Sequence, residues 1–295
     1  MANNLMMLTK TKFNITFLGC GKMGKVLLLQ LLLFDKIQQD LNFIIVNTSG
    51  DALKLDLDGK NITIPASSHK EIASMSAKPS NLVFIAVKPQ DSEVALLNFL
   101  QNKSLYSQDT VFISIVAGKE ISFFEKILAN NGCDKLIRAM PNILIGAGGN
   151  GLFAYYSNLA FKVDGINKSK ALGVISAFDN LLELKQEEDF AAITAIIGSG
   201  PAYIFLIQEI LAQILQKEIS YLEKPVINNL ISGLVIGSGV MAKNSKIEFE
   251  EMRKMVTSKK GTTESAINSL ENNNIRAIIE EAIEEAISRC KELSF

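Results

Sequence analysis

Six residues near the C-terminal end, Ser258-Lys259-Lys260-Gly261-Thr262-Thr263, stand directly before a helical pattern that spans 262–272. A helix start offers unpaired backbone N–H groups and partial positive charge. Hydroxyls and cations beside such a start suit a small anion, but a solvated loop with an ordinary cap draws on the same residue types. At the other end of the chain, Gly19-x-Gly21-x-x-Gly24 falls between a predicted strand, "FNITFLG", and a predicted helix, "KVLLLQLLLF". In that setting the glycines permit a tight turn and close backbone approach, and the helix start attracts a pyrophosphate. The chain shows no Ser/His/Asp set, no metal-ligand cluster and no close pair of carboxylates. Such a site must work by orientation and hydrogen bonding around a cofactor that carries the reactive group, as hydride transfer can. The lone histidine, His69, lies before a short helical segment. Imidazole titrates near neutrality, yet this position fits a helix start or the adenosine edge better than a reacting carbon.

The second strand, "FIIVNTSGD", ends in Asn47, Thr48 and Ser49, where an NAD site usually places an Asp or Glu for the ribose 2′-hydroxyl. Neutral amide and hydroxyl donors suit a 2′-phosphate, so these residues predict NADP. The absence of a nearby arginine, and Asp51 four residues after Asn47, weigh the other way. "IAVKPQD" comes at the C-terminal end of a further strand, the edge at which such sheets bind ligands. Pro89 stiffens the exit, and Lys88 either approaches the cofactor or is simply solvated. "SIVAG" (114–118) closes the next strand with Ala117 and Gly118, small enough to admit a flat nicotinamide ring.

These residues need a scaffold, and the first half of the chain supplies one. Apolar runs, "FNITFLG", "FIIVNT", "NLVFIAVKP", "VFISIVAG" and "KLIRAMPN", alternate with helical patterns, and "GLFAYY" adds a strand. Nearly continuous apolar strands alternating with helices predict a parallel sheet covered on both faces. The expected fold is an α/β N-terminal Rossmann-type doubly wound domain, residues 1–164, followed by an all-α helical dimerisation domain, residues 165–295. Apart from "LLELKQ" (181–186), the second half reads as helices near 187–198, 201–218, 223–243, 248–256, 262–272 and 275–293. It is apolar nearly all round, with Gly233 and Gly237 one turn apart. Such helices need neighbours on every side, so a second copy of the chain is expected to cover them.

Hydrophobic residues make up 48% of the 295 and charged ones 21%, enough for a real core. A net charge of −1 argues against a nucleic-acid partner. Cys20, Cys133 and Cys290 are odd in number and scattered, which points to a reducing, cytoplasmic setting without a disulfide framework or a zinc site. The first twelve residues lack an apolar run long enough for a signal peptide. The two most apolar stretches contain Pro201, Gln208, Glu209, Asn228 and Asn229. Polar groups at mid-bilayer are costly, so a buried helix pair is expected rather than a membrane pair.

Taken in order, GCGKMG, AVKP, "VAG", RAMPN, GSGPAY and V-x-S-x-x-GTT resemble the pyrroline-5-carboxylate reductase family over about residues 13–292. The resemblance implies NADP(H) as cofactor, 1-pyrroline-5-carboxylate as substrate, and a helical domain that interlocks with another subunit. It implies that Gly19, Cys20, Gly21, Lys22, Met23 and Gly24 form the pyrophosphate loop, and that Ser49 and its neighbours face the 2′-phosphate. It further implies that Ala86, Val87, Lys88 and Pro89 line the cofactor. The substrate carboxylate would meet backbone amides of the loop Ser258, Gly261 and Thr262, and Thr263 would hydrogen-bond the ring nitrogen. Hydride attack on a protonated imine needs no strong enzymic acid, which suits a chain that displays none.

One departure stands out. The family usually has S-P-G-G-T-T where this chain has Ser258-Lys259-Lys260-Gly261-Thr262-Thr263, and "MPNIL" replaces the usual MPNTP. Lys260, in a glycine place, must adopt a left-handed conformation or send the loop along another path. The lysines then read as attraction for an anionic substrate, as solvated surface, or as the mark of weakened activity. Alternatives to the reductase are a related imine or β-hydroxyacid reductase, and an NADP-binding regulatory dimer whose catalysis has decayed.

Overall fold

The computed structural model describes residues 13–38, 41–57, 60–68, 70–148 and 150–293. The N-terminal twelve residues and His69 lie outside that set. Two compact units are formed: one runs to Gly198 and takes back the chain from Ile287, and the other is Ser199–Ala286.

The first unit is built on β1 (Phe13–Leu18), α1 (Lys22–Gln38) and β2 (Leu41–Asn47). A hairpin of β3 (Leu53–Leu57) and β4 (Lys60–Ile64), then β5 (Ser67–Ser68), lead to β6 (Leu82–Ile85) and α2 (Ser92–Leu100). The chain continues through β7 (Val111–Ser114), α3 (Ile121–Ala129), β8 (Leu136–Pro141) and β9 (Leu152–Ser157). It closes with α4 (Leu159–Val163), α5 (Gly165–Ile175), β10 (Asn180–Glu183) and α6 (Phe190–Ile193). Eight strands form one sheet in the order β10-β9-β8-β7-β6-β1-β2-β5. All neighbours are parallel except β8 and β9, which run antiparallel, with Ala139 opposite Tyr155.

The central strands are buried on both faces, as their unbroken apolar runs require. Side chains alternate strictly: Leu82 and Phe84 of β6, with Val111 and Ile113 of β7, join the core that contains α1 and α5. Val83, Ile85 and Phe112 join the opposite core with α2 and α3. Phe17 stacks on Phe84 with ring centroids 4.7 Å apart, and Phe178 meets Phe84 edge-on. The one polar side chain of β1 between these layers, Thr16, is buried and hydrogen-bonded to Ser80 Oγ at 2.7 Å.

The sheet extends past the 164/165 boundary expected from the sequence. Ala171, Val174 and Ile175 of α5 are fully or almost fully buried in the first core, and β10 pairs with β9 from Asn180 to Glu183. Residues 165–198 therefore complete the α/β layer. The first turn of the helical half is uneven: α6 passes into a π-helical stretch, Thr194–Gly198, before Pro201.

The second unit holds α7 (Gly200–Glu218), α8 (Lys224–Asn244), α9 (Phe249–Met255), α10 (Thr262–Asn272) and most of α11 (Ile275–Glu292). It is nearly bare of a core. Phe205 and Ile207 of α7 are half exposed, as are Leu230, Leu234 and Ile236 of α8. A Cβ added at Gly233 or Gly237 would meet nothing within 4 Å. A groove of about 670 Å³ opens between α7 and α8, bordered by Phe205, Ala212, Ile227 and Ile231. Two stretches, Glu187–Glu218 and Lys224–Asn244, are long and apolar enough to cross a membrane by length and composition.

Candidate active site

The loop expected to hold the dinucleotide follows from how β1 meets its neighbours. Gly19 N–H donates to the Val46 carbonyl at 2.7 Å, and Ala86 N–H donates to the Leu18 carbonyl at 2.8 Å. These bonds draw the ends of β1, β2 and β6 together. Gly19 has φ +83°, and a Cβ there would lie 2.6 Å from Val87 Cγ1 and 2.8 Å from the Ala86 carbonyl oxygen. Only glycine fits that crossing. A Cβ at Gly21 would meet nothing within 4 Å, so the space in front of α1 is open where the amides of Lys22, Met23 and Gly24 start the helix. That open cradle at a helix N-terminus fits a pyrophosphate. Burial pushes the Cys20 thiol up to about 12, with Lys25 only partly opposing, so it stays a neutral thiol near neutral pH.

At the C-terminal end of β2, Asn47 stitches its own loop. Its Oδ1 accepts from Gly50 N–H at 2.6 Å and its Nδ2 donates to the Asp51 carbonyl at 2.8 Å. Ser49 Oγ accepts from Asp51 N–H at 3.2 Å, and Thr48 and Ser49 are exposed. Asn47 is thus a loop former, and Thr48 and Ser49 present the outward hydroxyls. Lys88 is exposed in extended backbone at the start of the 3₁₀ turn Pro89–Asp91. Ala86 and Val87 are half-buried beside the Gly19 crossing. Ala117 is exposed after β7, while Gly118, with φ +72°, lies against the Leu293 carbonyl. All the residues expected to hold the cofactor therefore lie along the carboxyl ends of β1, β2, β6 and β7, in one unit.

The expected substrate residues gather in the second unit. The Gly261 N–H donates to the Ser258 carbonyl at 3.1 Å, closing a turn with Lys259 and Lys260 at its tip. Lys260 takes the left-handed conformation, φ +61°, so lysine holds the backbone shape that glycine holds more cheaply. Its N–H donates to Glu264 Oε2 at 2.7 Å. Gly261 is the cap residue of α10, in extended backbone, and no side chain caps that end. The first amides of α10, those of Thr262 and Thr263 among them, have no carbonyl one turn earlier to bind. Thr263 is half-buried; Thr262 is exposed.

Sequence reasoning missed three supports. Glu264, three residues after the cap, accepts from the Lys260 N–H before the helix, and so braces the turn rather than capping the α10 amides. Arg138, in RAMPN, donates from Nη1 to Glu187 Oε1 at 2.7 Å, and the same oxygen accepts from Ile121 N–H at 2.8 Å. The Arg138 guanidinium also lies 4.7 Å from the Phe190 ring centroid. Asn142 is buried; its Oδ1 accepts from the amides of Leu144 and Leu152. Pairing across 49 residues of chain leaves no local signal.

Comparison with known proteins adds an independent line. Residues 187–293 match the model described as pyrroline-5-carboxylate reductase dimerisation, and residues 14–118 match NADP oxidoreductase coenzyme F420-dependent. The pyrroline-5-carboxylate reductase of Staphylococcus saprophyticus is 30% identical over 227 residues, covering 74% of this chain and 76% of that protein. The chain belongs to the pyrroline-5-carboxylate reductase family. Family likeness extends over the whole fold. The crystal structure of Plasmodium falciparum pyrroline carboxylate reductase with NADP bound is 25% identical, with a TM-score of 0.76, covering 97% of this chain and 99% of that one. The pyrroline-5-carboxylate reductase from Coxiella burnetii is 29% identical, with a TM-score of 0.75, covering 97% and 100%. The Rossmann-like sheet followed by helices is therefore this family's architecture.

Proposed function

We propose that this chain reduces 1-pyrroline-5-carboxylate to L-proline with NADPH, the last step of proline synthesis. The observation that carries the proposal is the uncapped start of α10, with Gly261, Thr262 and Thr263 at its first positions. Unpaired amides and the helix dipole suit the substrate carboxylate. The half-buried Thr263 hydroxyl either donates to the ring nitrogen or accepts from its protonated form. When bound, NADPH supplies the hydride; Gly19, Gly21 and the amides that open α1 would hold its pyrophosphate. Ser258 shapes the substrate turn, and Thr48 and Ser49 would meet the 2′-phosphate. Ala86 to Pro89, with Ala117 and Gly118, would line the nicotinamide half.

The lysine-bearing loop supports activity rather than decay. Lys260 reaches the left-handed region, and the turn still closes on Ser258, so the amides stand as they would behind a glycine. We assign the sheet unit, which runs through Gly198, to cofactor binding, and the helices from α7 onward to substrate binding and dimerisation. The bare apolar faces of α7 and α8 support self-association as at least a dimer, and a membrane role is not needed to explain them. Three scattered cysteines, none of them in a disulfide, support a cytoplasmic setting.

The direct test is oxidation of NADPH by purified full-length protein with 1-pyrroline-5-carboxylate, followed by absorbance. Thr263→Ala should lower turnover by about 10²-fold, the scale of a lost transition-state hydrogen bond, and leave NADPH affinity within about twofold. Normal turnover in that variant would remove Thr263 from the site.

A further inference from the structure

The adenosine edge of the sheet carries a charge that the cofactor reading leaves unused. β2 and β5 are parallel neighbours there, with Asn47 opposite Ser68. The Ser68 N–H donates to Glu71 Oε2 at 2.7 Å, and the Glu71 N–H donates back to Ser68 Oγ at 3.3 Å. This reciprocal pair pins the carboxylate, whose Oε2 lies 3.1 Å from where a Cβ would stand on Gly50. Gly50 is itself bound to Asn47, so the carboxylate flanks the turn that presents Thr48 and Ser49. Hydrogen bonds from the Ser68 backbone and hydroxyl hold the Glu71 carboxyl below the usual carboxylate range, keeping it ionised.

We propose that Glu71 is a specificity-determining residue for the dinucleotide: its fixed negative charge beside residues 48–50 opposes a 2′-phosphate and lets NADH compete with NADPH. The inference rests on the reading that this turn receives the adenosine ribose. A phosphate monoester there brings about −1.5 to −2 charges, whereas a 2′-hydroxyl brings none. One carboxylate at this edge therefore acts on one cofactor and spares the other. Solvent and salt screen the interaction, so it narrows the preference without reversing it.

The test uses purified full-length protein titrated separately with NADPH and NADH, read by the fluorescence of the reduced nicotinamide. The chain has no tryptophan to overlap that signal. Glu71→Gln keeps an acceptor for the Ser68 amide and removes the charge; Glu71→Lys reverses it. At low ionic strength Glu71→Gln should tighten NADPH by ~3- to 10-fold and leave NADH unchanged, with Glu71→Lys going further. The difference should shrink as salt rises. An unchanged NADPH-to-NADH ratio in both variants, or an equal shift for both cofactors, overturns the proposal, because a loop-shaping role would move both alike. Binding of neither dinucleotide to the unaltered chain would instead overturn the cofactor reading beneath it.

Discussion

Replacing Lys260 by glycine separates the shape of the Ser258–Gly261 turn from its charge. Lys260 sits at φ +61°, a region that costs an ordinary L-residue about 1–2 kcal/mol. Glycine removes that cost but loses roughly 0.5–1 kcal/mol more chain entropy on folding. The net expectation is a gain of ~0.5–1 kcal/mol, or about 1–3 °C in melting temperature for a chain of this size. The backbone bonds that set the turn, Lys260 N–H to Glu264 and Gly261 N–H to Ser258, involve no part of the lysine side chain. Turnover should therefore stay within about twofold of the unaltered chain. Lys260→Ala is the control: it removes the same charge while keeping a Cβ in the left-handed region. Calorimetry at one fixed protein concentration, because self-association shifts apparent stability, should rank glycine above alanine. Equal melting of the two would refute the strain argument. A rise in turnover above about tenfold, ~1.4 kcal/mol of barrier, would show that the native loop impairs catalysis.

Gly19→Ala should abolish NADPH binding and lower stability, since the new Cβ falls 2.6 Å from Val87 and 2.8 Å from the Ala86 carbonyl at φ +83°; cofactor fluorescence and thermal melting read both effects. Arg138→Met should cost about 2 kcal/mol, because it leaves the half-buried Glu187 carboxylate with only the Ile121 amide; urea unfolding measures it, and a loss under 0.5 kcal/mol, roughly the surface-substitution range, would make the pair incidental. Burial raises the Cys20 thiol to about 12 and the Cys133 thiol to about 11, from 9.0. The stability tied to these neutral thiols is complete below pH 9.0 and is lost as pH rises through the folded values. Thermal melting should therefore fall above pH 9.0, and a double Cys→Ala variant should fall less steeply.

The sequence by itself determined the layer architecture and the dinucleotide loop. Both are written in short-range patterns: unbroken apolar strands, intervening helices, and Gly19-x-Gly21-x-x-Gly24 between β1 and α1. Five of the central strands and the helices from Gly200 onward lie where their periodicity places them. The hairpin β3–β4 and helices α4 and α5 were not among the expected elements. The hairpin's signal is present in the sequence, apolar and polar residues alternating on either side of Asp58-Gly59, whereas α4 is only five residues and α5 is weakly patterned. Only the tertiary structure decided that residues 165–198 belong with the sheet, because that depends on β10 finding β9 and on three α5 side chains reaching a core assembled elsewhere. Likewise, Asn47 reads in the sequence as a phosphate donor, yet the fold commits its side chain to Gly50 and Asp51. The family pattern pointed to Gly261-Thr262-Thr263 as the substrate site proposed above, but whether Lys260 could stand in for glycine was a question of backbone dihedral. Spacing reports which groups are available; hydrogen-bond partners and dihedrals, set by the packed chain, determine which of them are free to meet a ligand.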